Sequence, residues 1–380
     1  MTAKFNFLLA AILTVFGQNA AAQEILVRIG LVAPLSGALA VSGNGNEKGA
    51  RLAVEELNSQ AVKIGNSRAR FELIAEDDAG DPRQGTLAAQ KLVDSEVSGV
   101  VGHQTSGSTI PASRLYRDAG IPQISPSTTS PRFTSQGFKT AFRLMPDDAI
   151  SARALGNYAV GKLGMTKFAV VDDRTSYGQG IADEFTKTVV AAGATVVARD
   201  YVTDKSTDFN AVLTSIGSKR PDAVFVGGMY SVAGPMLRQM KQLGLAMKML
   251  GGDGICDEQT VKLATGAASD DQVLCVGPLD IFDAGRMRRF TADFKARFGL
   301  APEPLAPYSY DAVRLLVDAM VRAGSARPNV YLPFLAATRG FQGVTGNISF
   351  DAKGDLLDPR IAIYTFRKSA LARVATMASH

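Results

Sequence analysis

Two stretches rich in small hydroxyl side chains each follow an apolar run of strand character. The first is Gly102-His103-Gln104-Thr105-Ser106-Gly107-Ser108-Thr109, and the second is Ser125-Pro126-Ser127-Thr128-Thr129-Ser130-Pro131. Hydroxyls and unpaired backbone N–H groups in such a place suit a carboxylate or a phosphate. The same residue types also build ordinary turns and N-caps, so neither stretch alone identifies a site. A third stretch, Gly251-Gly252-Asp253-Gly254, sets an acid between glycines that let the backbone fold tightly against a ligand. Asp253 can pair with a ligand ammonium there, or it can close an Asx-turn. Tyr177, in Asp172-Asp173-Arg174-Thr175-Ser176-Tyr177-Gly178, offers a flat apolar wall with a hydroxyl, or packs as a helix-start residue.

Enzyme chemistry fits these residues poorly. The chain holds two histidines, His103 and His380, which excludes a multi-histidine metal site. Gly43, Gly45 and Gly49 miss the dinucleotide fingerprint by one residue, and no obvious ribose acid follows. His103 and Ser106 could begin a hydrolase dyad, but the nucleophile elbow G-x-S-x-G is missing. No catalytic residue, no metal and no cofactor is expected.

The elements that would position these side chains alternate strand and helix. Ile25–Ala33, Arg70–Glu76, Val97–Val101 and Ile121–Ser125 read as short strands. Between them come a glycine-rich turn through Gly43, Gly45 and Gly49, then a helix with Ala50, Ala53, Val54 and Leu57 on one face. Further helices open at Pro82 and run through Pro111–Asp118. The rhythm restarts near Asp147, with strands at Lys167–Val171, Ala194–Tyr201, Ala223–Val226, Lys248–Leu250 and Val273–Val276. A helix at Tyr310–Arg322 and short strands at Gly346–Phe350 and Ile361–Phe366 close the chain. Short apolar strands separated by helices predict an α/β fold with parallel sheets covered on both faces. In such sheets ligands sit at the carboxyl ends of the strands, where all the stretches above fall.

The length of 380 residues suggests two domains at about 150 residues each. With 46% hydrophobic and 20% charged residues, disorder is excluded, and a net charge of +5 without a basic block argues against nucleic acid as a partner. Lys4, a largely apolar stretch from Phe5 to Phe16 and Ala20-Ala21-Ala22 form the pattern of an export signal cleaved after Ala22. Cleavage there leaves 380 − 22 = 358 residues, starting at Gln23, outside the cytoplasmic membrane. In an exported chain, the two cysteines Cys256 and Cys275 favour a disulfide over a pair of buried thiols.

Taken together, the chain resembles the periplasmic solute-binding proteins of ABC importers, in the leucine/isoleucine/valine-binding family. The resemblance spans essentially the whole mature chain. It rests on Ile29-Gly30-Leu31-Val32-Ala33-Pro34-Leu35-Ser36-Gly37, Glu76-Asp77-Asp78-Ala79-Gly80-Asp81-Pro82, Val101-Gly102-His103, Ile124-Ser125-Pro126, Tyr177-Gly178-Gln179-Gly180 and Phe350-Asp351-Ala352-Lys353-Gly354-Asp355. It implies the type I periplasmic binding fold: two Rossmann-like lobes with parallel central sheets, joined by a three-segment hinge. Lobe 1 would hold 23–146 and 278–355, and lobe 2 would hold 147–277 and 356–380.

The resemblance also implies roles. An amino acid's carboxylate would be held by Ser106 and Thr129, with backbone contact from Ser127. Its ammonium would be held by Asp253, under a cover formed by Tyr177. Branched-chain binders of the family usually carry Glu where Asp253 stands, and Ser42 and Met229, with Tyr230 directly after, replace aromatic pocket residues. The disulfide of the best-known members would fall at Gly80 and Thr105 and is absent, whereas Cys256–Cys275 is a bridge of related members. The implied function is the binding component of an ABC importer for a branched-chain or other aliphatic amino acid, a monomer presented to a membrane permease. The alternative is a ligand sensor of the same fold, or a binder of amides or aromatic acids.

Overall fold

The structure, a computed structural model, describes residues 24–278 and 284–377. The export signal of residues 1–22, its cleavage point after Ala22, and His380 lie outside the described residues. No helix among the described residues is long and apolar enough to cross a membrane.

Two α/β lobes follow each other along the chain. The first is built on β1 (Glu24–Ala33), β2 (Lys63–Ile64), β3 (Ser67–Asp77), β4 (Gly99–Gly102), β5 (Gln123–Ser125) and β6 (Ala141–Arg143), in spatial order β2-β3-β1-β4-β5-β6. All neighbours in it pair in parallel except the short β2 with β3. The second lobe is built on β7 (Lys167–Asp172), β8 (Thr195–Tyr201), β9 (Ala223–Gly227), β10 (Lys248–Gly251) and β11 (Val273–Pro278). After a two-stranded ribbon, β12 (Phe341–Gly343) with β13 (Gly346–Ile348), the chain adds β14 (Ile361–Arg367) and β15 (Ala370–Met377) to the second sheet. Those last two strands pair antiparallel, so the second sheet runs β15-β14-β11-β10-β9-β7-β8.

The central strands are buried on both faces, which is why they read as unbroken apolar runs: Phe168, Ala169, Val170 and Val171 of β7 are fully buried. The helix Ala306–Ala323 returns to the first lobe, where Val313, Leu316, Val317 and Met320 pack against Ala50, Ala53 and Leu57. Buried clusters then separate by lobe: one joins Val27–Met145 residues with Phe290–Phe350 residues, others join residues between Ala152 and Val276 with Ile361, Ile363 and Phe366.

One expectation needs correction, and other elements extend beyond the sequence reading. Gly43, Gly45 and Gly49 form no turn; they lie inside the helix Ala40–Ser59. The glycines are there for close approach, since a Cβ on Gly43 would sit 2.0 Å from the Pro34 carbonyl oxygen and one on Gly49 would sit 2.1 Å from that of Ala306. The third helix begins at Ser106 and carries Pro111 within it. Short strands β2, β6, β12 and the last strand β15 escaped the sequence reading, because β2, β6 and β12 span three residues or fewer and β15 is only half-buried.

Candidate functional site

A cavity of about 920 Å³ opens between the strand ends of the two sheets. Ser42, Ser106, Ser127, Thr129, Tyr177, Met229, Tyr230 and Asp253 all line it, so the structure brings every predicted ligand residue to one space. That volume is at the upper end for small-molecule pockets, which run from about 300 to 1,000 Å³.

On the first lobe, β4 and β5 end side by side and release the two hydroxyl-rich loops. Thr105 caps the helix Ser106–Asp118, and its side chain accepts the Ser108 amide. The amides of Ser106 and Gly107, in the first turn of that helix, have no partner within it. The second loop is tied to the first. Ser127 Oγ donates to the Gln104 carbonyl at 2.8 Å, Ser125 Oγ donates to that of His103 at 2.8 Å, and the Ser130 amide donates to Ser106 Oγ at 3.4 Å. From beneath, the fully buried Arg143 donates to the carbonyls of Thr128 and Ser130, to Thr134 Oγ1 and to Asp355. A charged fork is thus spent on holding a loop in shape.

His103 takes no part in the cavity. Its Nδ1 faces Asp78 at 2.9 Å, its Nε2 faces the Tyr116 hydroxyl at 3.0 Å, and the ring is fully buried. No dyad with Ser106 forms, and the histidine braces the loop from its far side.

The second lobe presents the opposite chemistry. Tyr177 stands in the first turn of the helix Ser176–Ala191, and its hydroxyl donates to Asp253 Oδ1 at 3.1 Å while accepting the Gly254 amide at 3.0 Å. Asp253 sits at the end of β10, and the glycines beside it admit the tyrosine. A Cβ on Gly252 would lie 2.6 Å from Tyr177 Oη. Burial pushes the Asp253 carboxyl up to about 6, against the pull of the Tyr177 hydrogen bond. Burial, and then the nearby Asp253, also hold the Tyr177 phenol well above its ordinary value.

Asp148 was missed by sequence reasoning. It opens the helix Asp148–Asn157, is fully buried, and neither carboxyl oxygen has a hydrogen-bond partner. Its amide donates to the Thr129 carbonyl at 2.9 Å, which places it against the second hydroxyl-rich loop. Burial first, and the charge of Asp253 second, raise its pKa well above the ordinary value. In sequence, Asp147-Asp148 reads as a helix cap followed by a first-turn acid, and Asp147 is indeed the cap; nothing signals that its neighbour points inward.

Ser42 sits at the end of a buried relay. Ser309 Oγ donates to Asn46, Asn46 Nδ2 to Gln104 Oε1, and Gln104 Nε2 to Ser42 Oγ. Ser42 Oγ is therefore an acceptor within the relay and keeps its own proton for the cavity. Met145, Met229 and Met287 supply adaptable apolar wall. Cys256 and Cys275 are disulfide-bonded, with 5.4 Å between Cα atoms, and tie the Asp253 loop to β11. Gly80 and Thr105 also meet: a Cβ on Gly80 would lie 3.9 Å from Thr105 Cγ2.

The comparisons agree with this geometry. A model of the family described as periplasmic binding protein matches residues 26–370. The Leu/Ile/Val-binding protein homolog 1 of Brucella abortus is 34% identical over 362 residues, covering 95% of each chain. The leucine-, isoleucine-, valine-, threonine-, and alanine-binding protein of Pseudomonas aeruginosa is 33% identical, over 90% of this chain and 91% of its own. Among solved structures, the branched-chain amino acid transporter substrate binding protein LivJ of Streptococcus pneumoniae, in complex with isoleucine, superposes with a TM-score of 0.84 at 29% identity, covering 93% of this chain and all of that one. These relatives are binding proteins, and with two parallel-sheet lobes around one cleft the chain belongs to the periplasmic binding protein family.

Proposed function

We propose that this protein is the binding component of an ABC importer and captures an amino acid, branched-chain or otherwise aliphatic, between its two lobes. The observation that carries the reading is the division of chemistry across the cavity. Hydroxyls and helix-start amides stand on the first lobe, and a carboxylate bound by a tyrosine stands on the second. A zwitterion has the complementary pair of charges. Ser106 and Thr129 take its carboxylate, with the backbone at Ser127, while Asp253 takes its ammonium and Tyr177 covers it.

Asp148 and Asp253 share one counter-charge in this scheme. Burial favours the neutral form of Asp148, and Asp253 is ionised when the ammonium arrives. One buried cation then meets one buried anion, which offsets the desolvation of both. Closure excludes water and strengthens these charge-assisted bonds. The ligand favours the closed lobes because only they offer both halves of the clamp.

The lobes divide at 146/147, 277/278 and 355/356, the three crossings of the hinge. The separation of the buried clusters supports this division. The signal ends at Ala22, the mature monomer works in the periplasm, and the closed form is what the permease meets. The bound ligand is released unchanged in this reading, which the binding-protein relatives support. A thermal-shift screen against the amino acids tests the reading, since a ligand of the folded state raises apparent stability by mass action. An aliphatic amino acid is expected to raise the melting temperature; no response to any amino acid contradicts it.

A further inference from the structure

We propose that the end of the cleft beside Ser42 is a second subsite, built to accept an N–H donor at the tip of the ligand's side chain. The inference rests on the amino-acid reading above and extends it, from aliphatic side chains to longer ones that end in an amide or a cation.

Three polar groups converge there. Asp257 comes from the second lobe; it is nearly buried, and its Oδ1 accepts the Gln259 amide at 2.8 Å. Glu303 comes from the first lobe, between the helices Ala284–Phe298 and Ala306–Ala323, and its Cβ packs where a Cβ on Gly45 would come within 2.6 Å. Tyr230, the residue after Met229, is 3% exposed, and its hydroxyl has no hydrogen-bond partner. All three line the cavity, and Met229 and Leu305 beside them supply apolar wall for an aliphatic stem.

No basic side chain among the described residues is in contact with either acid in this corner. Among the described residues neither Asp257 nor Glu303 makes an ion pair. Burial raises the pKa of both, and Asp257 adds to the effect on Glu303. Glu258 pushes in the same direction on both acids, while Lys262 opposes it on both and Lys48 opposes it on Glu303. Burial, then Asp257 and Glu303, raise the Tyr230 phenol against the pull of the Ser42 backbone. Two carboxylates carried by opposite lobes disfavour closure unless something positive or donating lies between them. An N–H group at the end of the side chain does that, and it gives the Tyr230 oxygen a partner too. The setting is notable in a chain of net charge +5, because acidic side chains outnumber basic ones on the cleft wall.

The test is titration calorimetry at pH 7 of the mature wild-type protein and of Glu303→Gln and Asp257→Asn, each against leucine, glutamine, lysine and arginine. The proposal expects wild type to bind at least one of the last three, and each substitution to weaken that binding tenfold or more while changing leucine affinity less than threefold. A response to glutamine assigns an amide, and a response to lysine or arginine assigns a cation. If wild type binds leucine and none of the others, the subsite is refuted and the zwitterion reading stands. If the N–H ligands bind equally well to both variants, the two acids are not their partners and the proposal fails. If no amino acid binds at all, the underlying reading falls with it.

Discussion

The Tyr177 hydroxyl and the Asp253 carboxylate form a bonded pair at 3.1 Å, and the Gly254 amide fixes the tyrosine oxygen from the other side. The tyrosine therefore positions the acid before any ligand arrives. Because its bond goes to Oδ1 alone, Asp253 keeps acceptor capacity for an ammonium.

Replacing Asp253 by Ala leaves a buried ammonium without its counter-charge. The expected loss is about 3–5 kcal/mol, roughly two to four decades of affinity. Tyr177→Phe removes the hydroxyl's bond to Asp253 and its bond from the Gly254 amide but leaves the acid, so it costs about 1–3 kcal/mol, roughly one to two decades of affinity. Calorimetry on both variants with the tightest-binding amino acid checks the order. Unchanged affinity in Asp253→Ala removes the ammonium role.

At the other end of the ligand, Ser106→Ala is expected to lose about 1.5–3 kcal/mol, since backbone donors remain at the helix start. Thr129→Ala should fall in the same range. Normal binding by both variants relocates the carboxylate site.

Acidity gives a prediction with two opposing signs. The Asp253 and Asp173 carboxyls are each pushed up to about 6, chiefly by burial. A raised acid stabilises the folded chain fully below its unfolded value, near 4, and that contribution disappears as pH rises through about 6. The ligand-free melting temperature is therefore expected to fall between about pH 4 and pH 6.5 from these groups. Asp77, Asp81 and Asp222, held below their usual range, act lower, losing stability as pH falls beneath about 4. In the proposed clamp ligand binding needs Asp253 ionised, so the ligand-induced shift in melting temperature should grow across the same window. Asp253→Asn should flatten its share of both trends while leaving that of Asp173.

Arg143 offers a test of how the carboxylate loop is held. Its loss takes the cation from the half-buried Asp355 and the donors from the buried carbonyls of Thr128 and Ser130. Arg143→Leu is expected to destabilise the protein by about 3–5 kcal/mol. Denaturant unfolding of the ligand-free protein measures it, and a loss below about 1 kcal/mol contradicts the bracing role.

Reduction of Cys256–Cys275, which closes a separation of 19 residues, should cost about 3 kcal/mol. The bridge anchors the Asp253 loop, so ligand affinity should also fall on reduction. Calorimetry with and without reductant reads that second effect.

Much of this arrangement was legible in the residues. Apolar runs marked β1, β7 and β9 because their central residues are covered on both faces, and the loops after β4, β5 and β10 follow from where such strands end. The glycines of the first long helix misled, since sequence shows their small size but not the backbone at Pro34 and Ala306 that requires it. Asp148, Arg143 and Glu303 were invisible for a related reason. Each is a charged residue whose burial is decided by a partner far away in the chain, and periodicity carries no trace of that.

The most direct test compares one amino acid with two of its own analogues by calorimetry: the tightest-binding amino acid, the same molecule without its amino group, and its primary amide in place of the carboxylate. A clamp on both charges predicts that each analogue binds at least a hundredfold more weakly than the parent. An analogue lacking the amino group that binds as tightly as the parent contradicts it.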